Sequence, residues 1–450
     1  MDKEHSEFSP GYSWLVVLLF TTAYILSNID RQLISVLIVP IQRDLNLSDT
    51  DFGLLQGLAY GLFYAGFCVP IAGLSDRASR SAVIATGLAV WSAATLVCAF
   101  ARSFVQLFFA RAVVGAAESS LGPAVYSLLA DIFPRGKLGR ALGVFSLGPF
   151  LGSTAAFMLG GGALYWLGEN GRYAFSGLTF HTWHLIFLLA GVPGLLLALA
   201  IALVVKDPRT RHGAAAPVDK APFKEVLGYL IAQRAIFFSL LVGFNMLVLS
   251  LYAMFAWAPA FLVRTEGVSS AEAGIWLGSI VLFGGGTGAL FAGFLMDALI
   301  ARQRSAASFE VGIFAASVVF VSVSLVALLP FKGSSFFIVA LAVFFGSFAL
   351  APAIAGIQSA SPPAYRSRIS SLYLIIGIVV QALVNVLIGV LNDVLFREPA
   401  GIQKSLTVLM TVSSFGAIVL LAHGRGAVVR MKARSASSTV SQALREDYVH

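Results

Sequence analysis

Four ionisable residues stand where the chain is otherwise apolar: Asp30 and Arg31 in one hydrophobic stretch, Arg111 and Glu118 in another. Charges in a membrane interior cost several kcal/mol, and they mark pathways, proton relays and coupling sites. Asp30 lies ~24 Å along a helix that starts at Trp14, and Arg111 lies ~10 Å from the opposite end of a helix that starts at Phe104. In a hydrocarbon core of ~30 Å these depths nearly coincide, so an Asp30–Arg111 pair is geometrically available. Arg31 is turned about 100° from Asp30 and cannot share its face. Glu118 follows Arg111 by two turns on one face, nearer the middle. Pro123 is expected to kink that helix and free backbone carbonyls close by. A carboxylate so placed can take a proton from one side of a membrane and release it to the other. Asp30 and Glu118 are therefore the expected proton-coupling groups, with Arg31 and Arg111 as contacts for an anionic group. The competing expectation is a permanently ionised structural bridge.

Other chemistries lack their residues. There is no Gly-x-x-x-x-Gly-Lys-Ser/Thr loop for nucleotide, no His-Glu-x-x-His and no Gly-x-Ser-x-Gly. Cys68 and Cys98 sit in apolar runs and read as packing residues. His181, His184 and His423 have no partner at ligand spacing and read as surface or interface residues. An enzyme, a metal site, a cofactor and a nucleic-acid partner are not expected.

The elements that must position these charges follow from composition. Of 450 residues, 58% are hydrophobic and 12% charged, with a mean hydropathy of +0.87. Soluble domains carry about 25% charged residues, so a soluble enzyme is excluded. Continuously apolar runs of about 20 residues predict membrane-spanning helices rather than the alternating strands of a barrel. Twelve are expected, near 14–40, 51–74, 81–101, 104–130, 138–166, 184–205, 236–263, 271–296, 307–329, 334–358, 367–396 and 403–423. The first run is too long for a signal peptide, and the acidic, polar N-terminus lacks a basic n-region and a small-residue cleavage site, so it reads as a retained helix. Lys and Arg are three times as frequent in the termini and even-numbered loops as in the odd-numbered loops. That bias places both termini in the cytoplasm.

The longest polar break, near the chain midpoint, divides six spans from six. The expected organisation is a cytoplasmic N-terminus (1–13), a six-helix bundle (14–205), a cytoplasmic linker (206–235), a second six-helix bundle (236–423) and a basic, Ser-rich, mobile cytoplasmic tail (424–450). Features recur between the halves. Gly73-Leu-Ser-Asp76-Arg77-Ala-Ser-Arg80 follows span two, and Gly293-Phe-Leu-Met-Asp297 follows span eight. Such internal symmetry is a transporter signature.

Gly73-xx-Asp76-Arg77-xx-Arg80 resembles the loop motif of the major facilitator superfamily. Arg111-xxx-Gly115 resembles its second motif, and Gly148-Pro149-xx-Gly152 the motif of its exchangers. Asn28-Ile-Asp30-Arg31, Pro40-Ile-x-x-Asp44-Leu-x-Leu-Ser48-Asp49 and Gly53-Leu-Leu-Gln56 are similar to the spinster-type lipid transporters. The resemblance implies an all-α fold of twelve helices in two pseudo-symmetric six-helix bundles, alternating access, and a central cavity lined by spans one, four, seven and ten. Gly73, Asp76, Arg77, Arg80, Gly148, Pro149 and Asp297 are the expected gating residues. Gly73 would permit close approach, and Asp76 with Arg77 would latch the cytoplasmic side in the outward-open state. The second half has no Lys or Arg in the core of its spans and offers Asn245, Tyr252, Phe344, Phe345, Phe348, Tyr373, Gln381 and Asn385. Of these, Asn245, Tyr252, Phe345 and Tyr373 are the expected substrate contacts, beside Arg31 and Arg111. Asp393 and Glu310 are expected to be interfacial. Charges in one half and aromatic surface in the other suit an amphiphile, a lysophospholipid or sphingoid phosphate. The expectation is therefore a proton-coupled secondary transporter of such a lipid, monomeric, in the cell (inner) membrane. Its partners are the substrate, protons and membrane lipids; the alternative is a proton-coupled carrier of small organic anions.

Overall fold

The computed structural model describes residues 8–175, 178–208, 222–328, 333–398 and 400–447. Twelve helical segments are long and apolar enough to span a membrane. Spans 1 to 6 are Pro10–Val36, Asp49–Ser75, Arg80–Cys98, Phe104–Ile132, Gly136–Leu167 and Thr182–Val204. Spans 7 to 12 are Arg234–Glu266, Ser270–Ala301, Ala307–Ala327, Ser334–Ala360, Arg368–Phe396 and Gly401–Ala433. Each expected run overlaps one of them. The loops after odd-numbered spans define one face, called here the odd-loop face, and those after even-numbered spans the other.

Local chemistry sets the starts. Ser9 caps span 1, with Pro10 in its first turn. Ser48 and Asp51 form a reciprocal box at the start of span 2, and Ser269 and Glu272 do the same for span 8. Span 1 stops at Val36, and a short helix, Ile38–Leu45, continues to Asn46 in the left-handed region. Two segments depart from expectation. A two-stranded antiparallel hairpin, β1 (Arg172–Phe175) and β2 (Leu178–His181), fills the loop between spans 5 and 6. The last helix, expected to end near 423, runs on to Asp447. Most of the linker, 209–221, lies outside the described residues.

The chain divides into two compact units. Unit 1 comprises residues 1–217, 255–283 and 381–405; unit 2 comprises 218–254, 284–380 and 406–450. Unit 1 thus holds spans 1–6 together with the odd-loop ends of spans 7, 8, 11 and 12. Its core includes Phe20, Trp91, Val125 and Phe145. In unit 2, Phe344, Phe345 and Phe348 cluster with centroids 5.0–5.6 Å apart, and Phe314 joins them.

Glycine permits the closest approaches within unit 1. A Cβ at Gly53 or Gly57 of span 2 would collide with backbone carbonyls of Asn385 and Ala382 in span 11; one at Gly389 would strike the Asp49 carbonyl. These contacts form a ladder in small-xxx-small spacing. Gly161 of span 5 and Gly274 of span 8 meet similarly. At the other end of span 5, Gly148 and Gly152 bring the helix against Tyr24, Ile25 and Asn28, which fixes span 1 just ahead of Asp30.

Candidate functional site

Glu118 is the last residue of the first α-segment of span 4; the helix breaks at Ser119–Ser120 and resumes at Leu121 with Pro123 in its first turn. Tyr60 lies in a π-helical stretch of span 2, Leu54–Leu62. Such stretches occur frequently at functional sites. These two irregular segments bring the Tyr60 hydroxyl to donate to Glu118 Oε2 at 2.6 Å, and Ser27 Oγ of span 1 donates to the same oxygen at 2.9 Å. Glu118 is 2% exposed, and its Oε1 has no hydrogen-bond partner among the described residues.

One turn along span 1, Asp30 accepts from Thr95 Oγ1 at 2.8 Å. Arg111 Nη1 lies 3.8 Å from Asp30 Oδ1 and donates to the Asp30 carbonyl at 3.3 Å. Arg111 is fully buried. The Arg31 guanidinium, on another face of span 1, sits 4.5 Å from the Tyr60 ring centroid, and that of Arg111 sits 5.4 Å from it. Tyr60 therefore contacts both cations through its ring and a carboxylate through its hydroxyl. All four ionisable groups named from the sequence meet here. Tyr60, Ser27 and Thr95 were not named, because nothing in an apolar run distinguishes one hydroxyl from another until helices are packed.

A second charged cluster closes the odd-loop end of unit 1. Arg264, at the end of span 7, donates to both oxygens of Asp49 at 2.6 and 2.7 Å and to Gln42 Oε1 at 2.9 Å. Asn392 of span 11 donates to Asp49 Oδ2 at 2.9 Å. Asp393 accepts from the Thr50 amide and hydroxyl at 2.7 and 2.6 Å, a carboxylate on the start of span 2 where the helix dipole favours it. The second-half spans thus supply Arg264, Asn392 and Asp393 to a cluster that ties them to span 2 and to the short helix after span 1.

The gating motif is divided. Arg80 is fully buried, bidentate to Asp207 beyond span 6 and 2.6 Å from Asp131 of span 4. It ties three helix ends of one bundle together. Arg77 is exposed, with no ion pair among the described residues, and Asp76's side chain is not among those described. A Cβ at Gly73 would meet nothing within 4 Å, so the close approach expected of this glycine is absent, because its helix end is unpacked there. Asp297 is exposed. Pro149 opens the helix that carries Gly148 and Gly152. In unit 2, Asn245 donates to the Leu241 and Tyr373 carbonyls at 2.7 and 3.3 Å, joining spans 7 and 11. Tyr373 is buried, while Tyr252 and Phe345 are half-buried. His184, expected as a surface or interface residue, is buried: it stacks on Trp183 and lies 3.0 Å from Arg102 Nη1. Glu310 is held by Arg304 and Arg425, each at 3.0 Å.

The profile of the Major Facilitator Superfamily matches residues 20–384. The chain is 28% identical over 403 residues to an MFS-type efflux pump of Mycolicibacterium smegmatis, covering 87% of this chain and 88% of the relative. It is 27% identical over 269 residues to human protein spinster homolog 1, covering 58% of this chain and only 48% of that protein, so it spans about half the spinster relative's length. It is 34% identical over 190 residues to the probable anion transporter 4, chloroplastic, of Arabidopsis thaliana, covering 41% of this chain and 35% of that one. Among solved structures, a bacterial homolog of the human lysosomal transporter Spinster, in an inward-facing and unoccupied conformation, aligns with a TM-score of 0.76 and 24% identity, over 94% of this chain and 98% of that one.

Proposed function

Since the chain belongs to the Major Facilitator Superfamily, and is an integral membrane protein with a transporter's fold, we propose that it is a proton-coupled carrier of an anionic amphiphile. The observation that carries the reading is the meeting of two carboxylates and two guanidiniums around Tyr60 in an apolar interior. With all four ionised, their charges cancel. Protonating Glu118 leaves one positive charge in excess, which an anionic head group can neutralise; releasing the proton removes that attraction. Proton and anion therefore bind together, with Arg31 and Arg111 as the head-group contacts and Asp30 and Glu118 as the coupling pair. The alkyl tail lies along the aromatic second half, where Phe345, Tyr252 and Tyr373 are the proposed contacts. The substrate class remains a lysophospholipid or sphingoid phosphate.

Access alternates between the two faces. The cation bias puts the odd-loop face outside and both termini in the cytoplasm of the cell. The Asp49–Arg264 gate is then the outer one, and it is shut. Exposed Arg77 fits a cytoplasmic latch that forms only when the outer gate opens.

A carrier of small organic anions is the second reading. It is favoured by the plant relative's name, and the same two guanidiniums suit a carboxylate. The deciding experiment is affinity across a homologous series of lysophospholipids with one head group. Each buried CH₂ is worth roughly 0.8 kcal/mol, so affinity should climb with tail length and fall for every member in Arg111→Ala. A flat response, together with tight binding of a tail-less acid, selects the organic-anion carrier instead.

A further inference from the structure

Seven residues inward from three members of the outer gate stands a second tier of polar side chains. Asp49 leads to Gln56 on span 2, Arg264 to Trp257 on span 7, and Asn392 to Asn385 on span 11. In the α-helical stretches that is two turns, ~10 Å deeper. Trp257 and Asn385 are fully buried and Gln56 is 6% exposed. The packing joins them. Trp257 meets Phe52 edge-on at 5.1 Å, and the Asn385 backbone lies against Gly53. Gln56 Nε2 donates to Ser35 Oγ at 3.1 Å and to the Arg31 carbonyl at 3.4 Å.

The gate tier is tied together by hydrogen bonds, but this tier is not. Trp257 Nε1, Gln56 Oε1 and both amide atoms of Asn385 have no partner among the described residues. Buried polar atoms are nearly always hydrogen-bonded, and each exception asks for a reason. Trp257 offers only a donor and Gln56 Oε1 only an acceptor, while Asn385 offers both. These complementary atoms do not pair with one another, so each keeps an unmet donor or acceptor. The three side chains are neutral. An ammonium would find no carboxylate among them and a phosphate no cation, whereas a hydroxyl both donates and accepts. The Gln56 bond to the Arg31 backbone makes the tier continuous with the charged network.

We propose that Gln56, Trp257 and Asn385 form a hydroxyl-binding subsite for a diol in the substrate's head group, a glycerol rather than an amine or a bare phosphate. This deepens the anionic-amphiphile reading and rests on it for the placement of the phosphate near Arg31 and Arg111. The tier is covered here, so the substrate meets it when the outer gate parts.

The test compares three lysophospholipids with one acyl chain, carrying glycerol, ethanolamine or methyl esters of the phosphate, bound to the purified full chain. The parent should prefer the glycerol ester by about tenfold or more, the effect of ~1.4 kcal/mol. Trp257→Phe keeps the edge contact with Phe52 but removes the donor, and Asn385→Leu removes the amide. Each should bring the glycerol ester within about twofold of the methyl ester while leaving methyl-ester affinity in place. A merely structural role would lower all three alike. No glycerol preference in the parent, or a preference that survives in Trp257→Phe, overturns the subsite. If no lysolipid binds, the tail reading has failed, and glycerol 3-phosphate against methyl phosphate then tests the subsite alone. Preference for glycerol 3-phosphate that is lost in Trp257→Phe upholds it, and equal or absent binding of the two overturns it.

Discussion

At the scale of the residue, the account turns on Glu118 and its neighbours. On the proposed coupling, protonating Glu118 creates the positive charge that holds the anion, so affinity for an anionic ligand should rise as pH falls. One coupled proton permits up to about tenfold per pH unit. Glu118→Gln should bind anion with an affinity that no longer varies with pH, measured by equilibrium binding from pH 5 to 9. Persistence of the parent's slope in that variant would move coupling to another group. Tyr60→Phe deletes one of the two hydrogen bonds to Glu118 and leaves the ring between the guanidiniums. It should fold, lose ~1–3 kcal/mol of stability, and keep a weakened pH response. The charges themselves were legible in the sequence, because an ionisable residue inside an apolar run is conspicuous and helix rise gives its depth. Tyr60 was not, since its part depends on a π-helical stretch that periodicity does not reveal. Asp49 stands in the sequence only as part of the spinster-like motif and Arg264 only among the loop cations, and only packing across 215 positions makes them a pair.

At the scale of the element, the shut gate depends on spans 2 and 11 touching backbone to backbone. Gly57→Leu inserts a side chain where the Ala382 carbonyl lies, so the odd-loop ends should be held apart. Arg264→Ala leaves the Asp49 carboxylate with Gln42 and Asn392 alone. A loss of ~1.4 kcal/mol changes the ratio of shut to open tenfold. Spin labels on the odd-loop ends of spans 2 and 11 should show longer distances in both variants than in the parent. Unchanged distance distributions would make this cluster a fixed brace rather than a gate. The twelve spans were readable from continuous hydrophobicity, and the recurrence of motifs marked the halves. The units of unequal make-up were not readable, since the contacts that join the ends of spans 7, 8, 11 and 12 to unit 1 link residues far apart in sequence. The hairpin between spans 5 and 6 was also hidden, its strands being only four residues each.

At the scale of the molecule, the proposed function sets an orientation and an energy source. The cation bias predicts that cysteines introduced at 215 and 335 are labelled from opposite sides of the membrane, 215 from the cytoplasm; labelling from one side would invalidate the topology. The central claim is that a proton gradient drives this carrier through Glu118. The most direct measurement is uptake of a labelled lysophospholipid into proteoliposomes, with and without an imposed pH difference, for the parent and for Glu118→Gln. The account predicts that the parent concentrates the lipid only when a gradient is present, and that Glu118→Gln exchanges lipid across the membrane but never concentrates it. Concentration by Glu118→Gln equal to the parent's, under the same gradient, would contradict it.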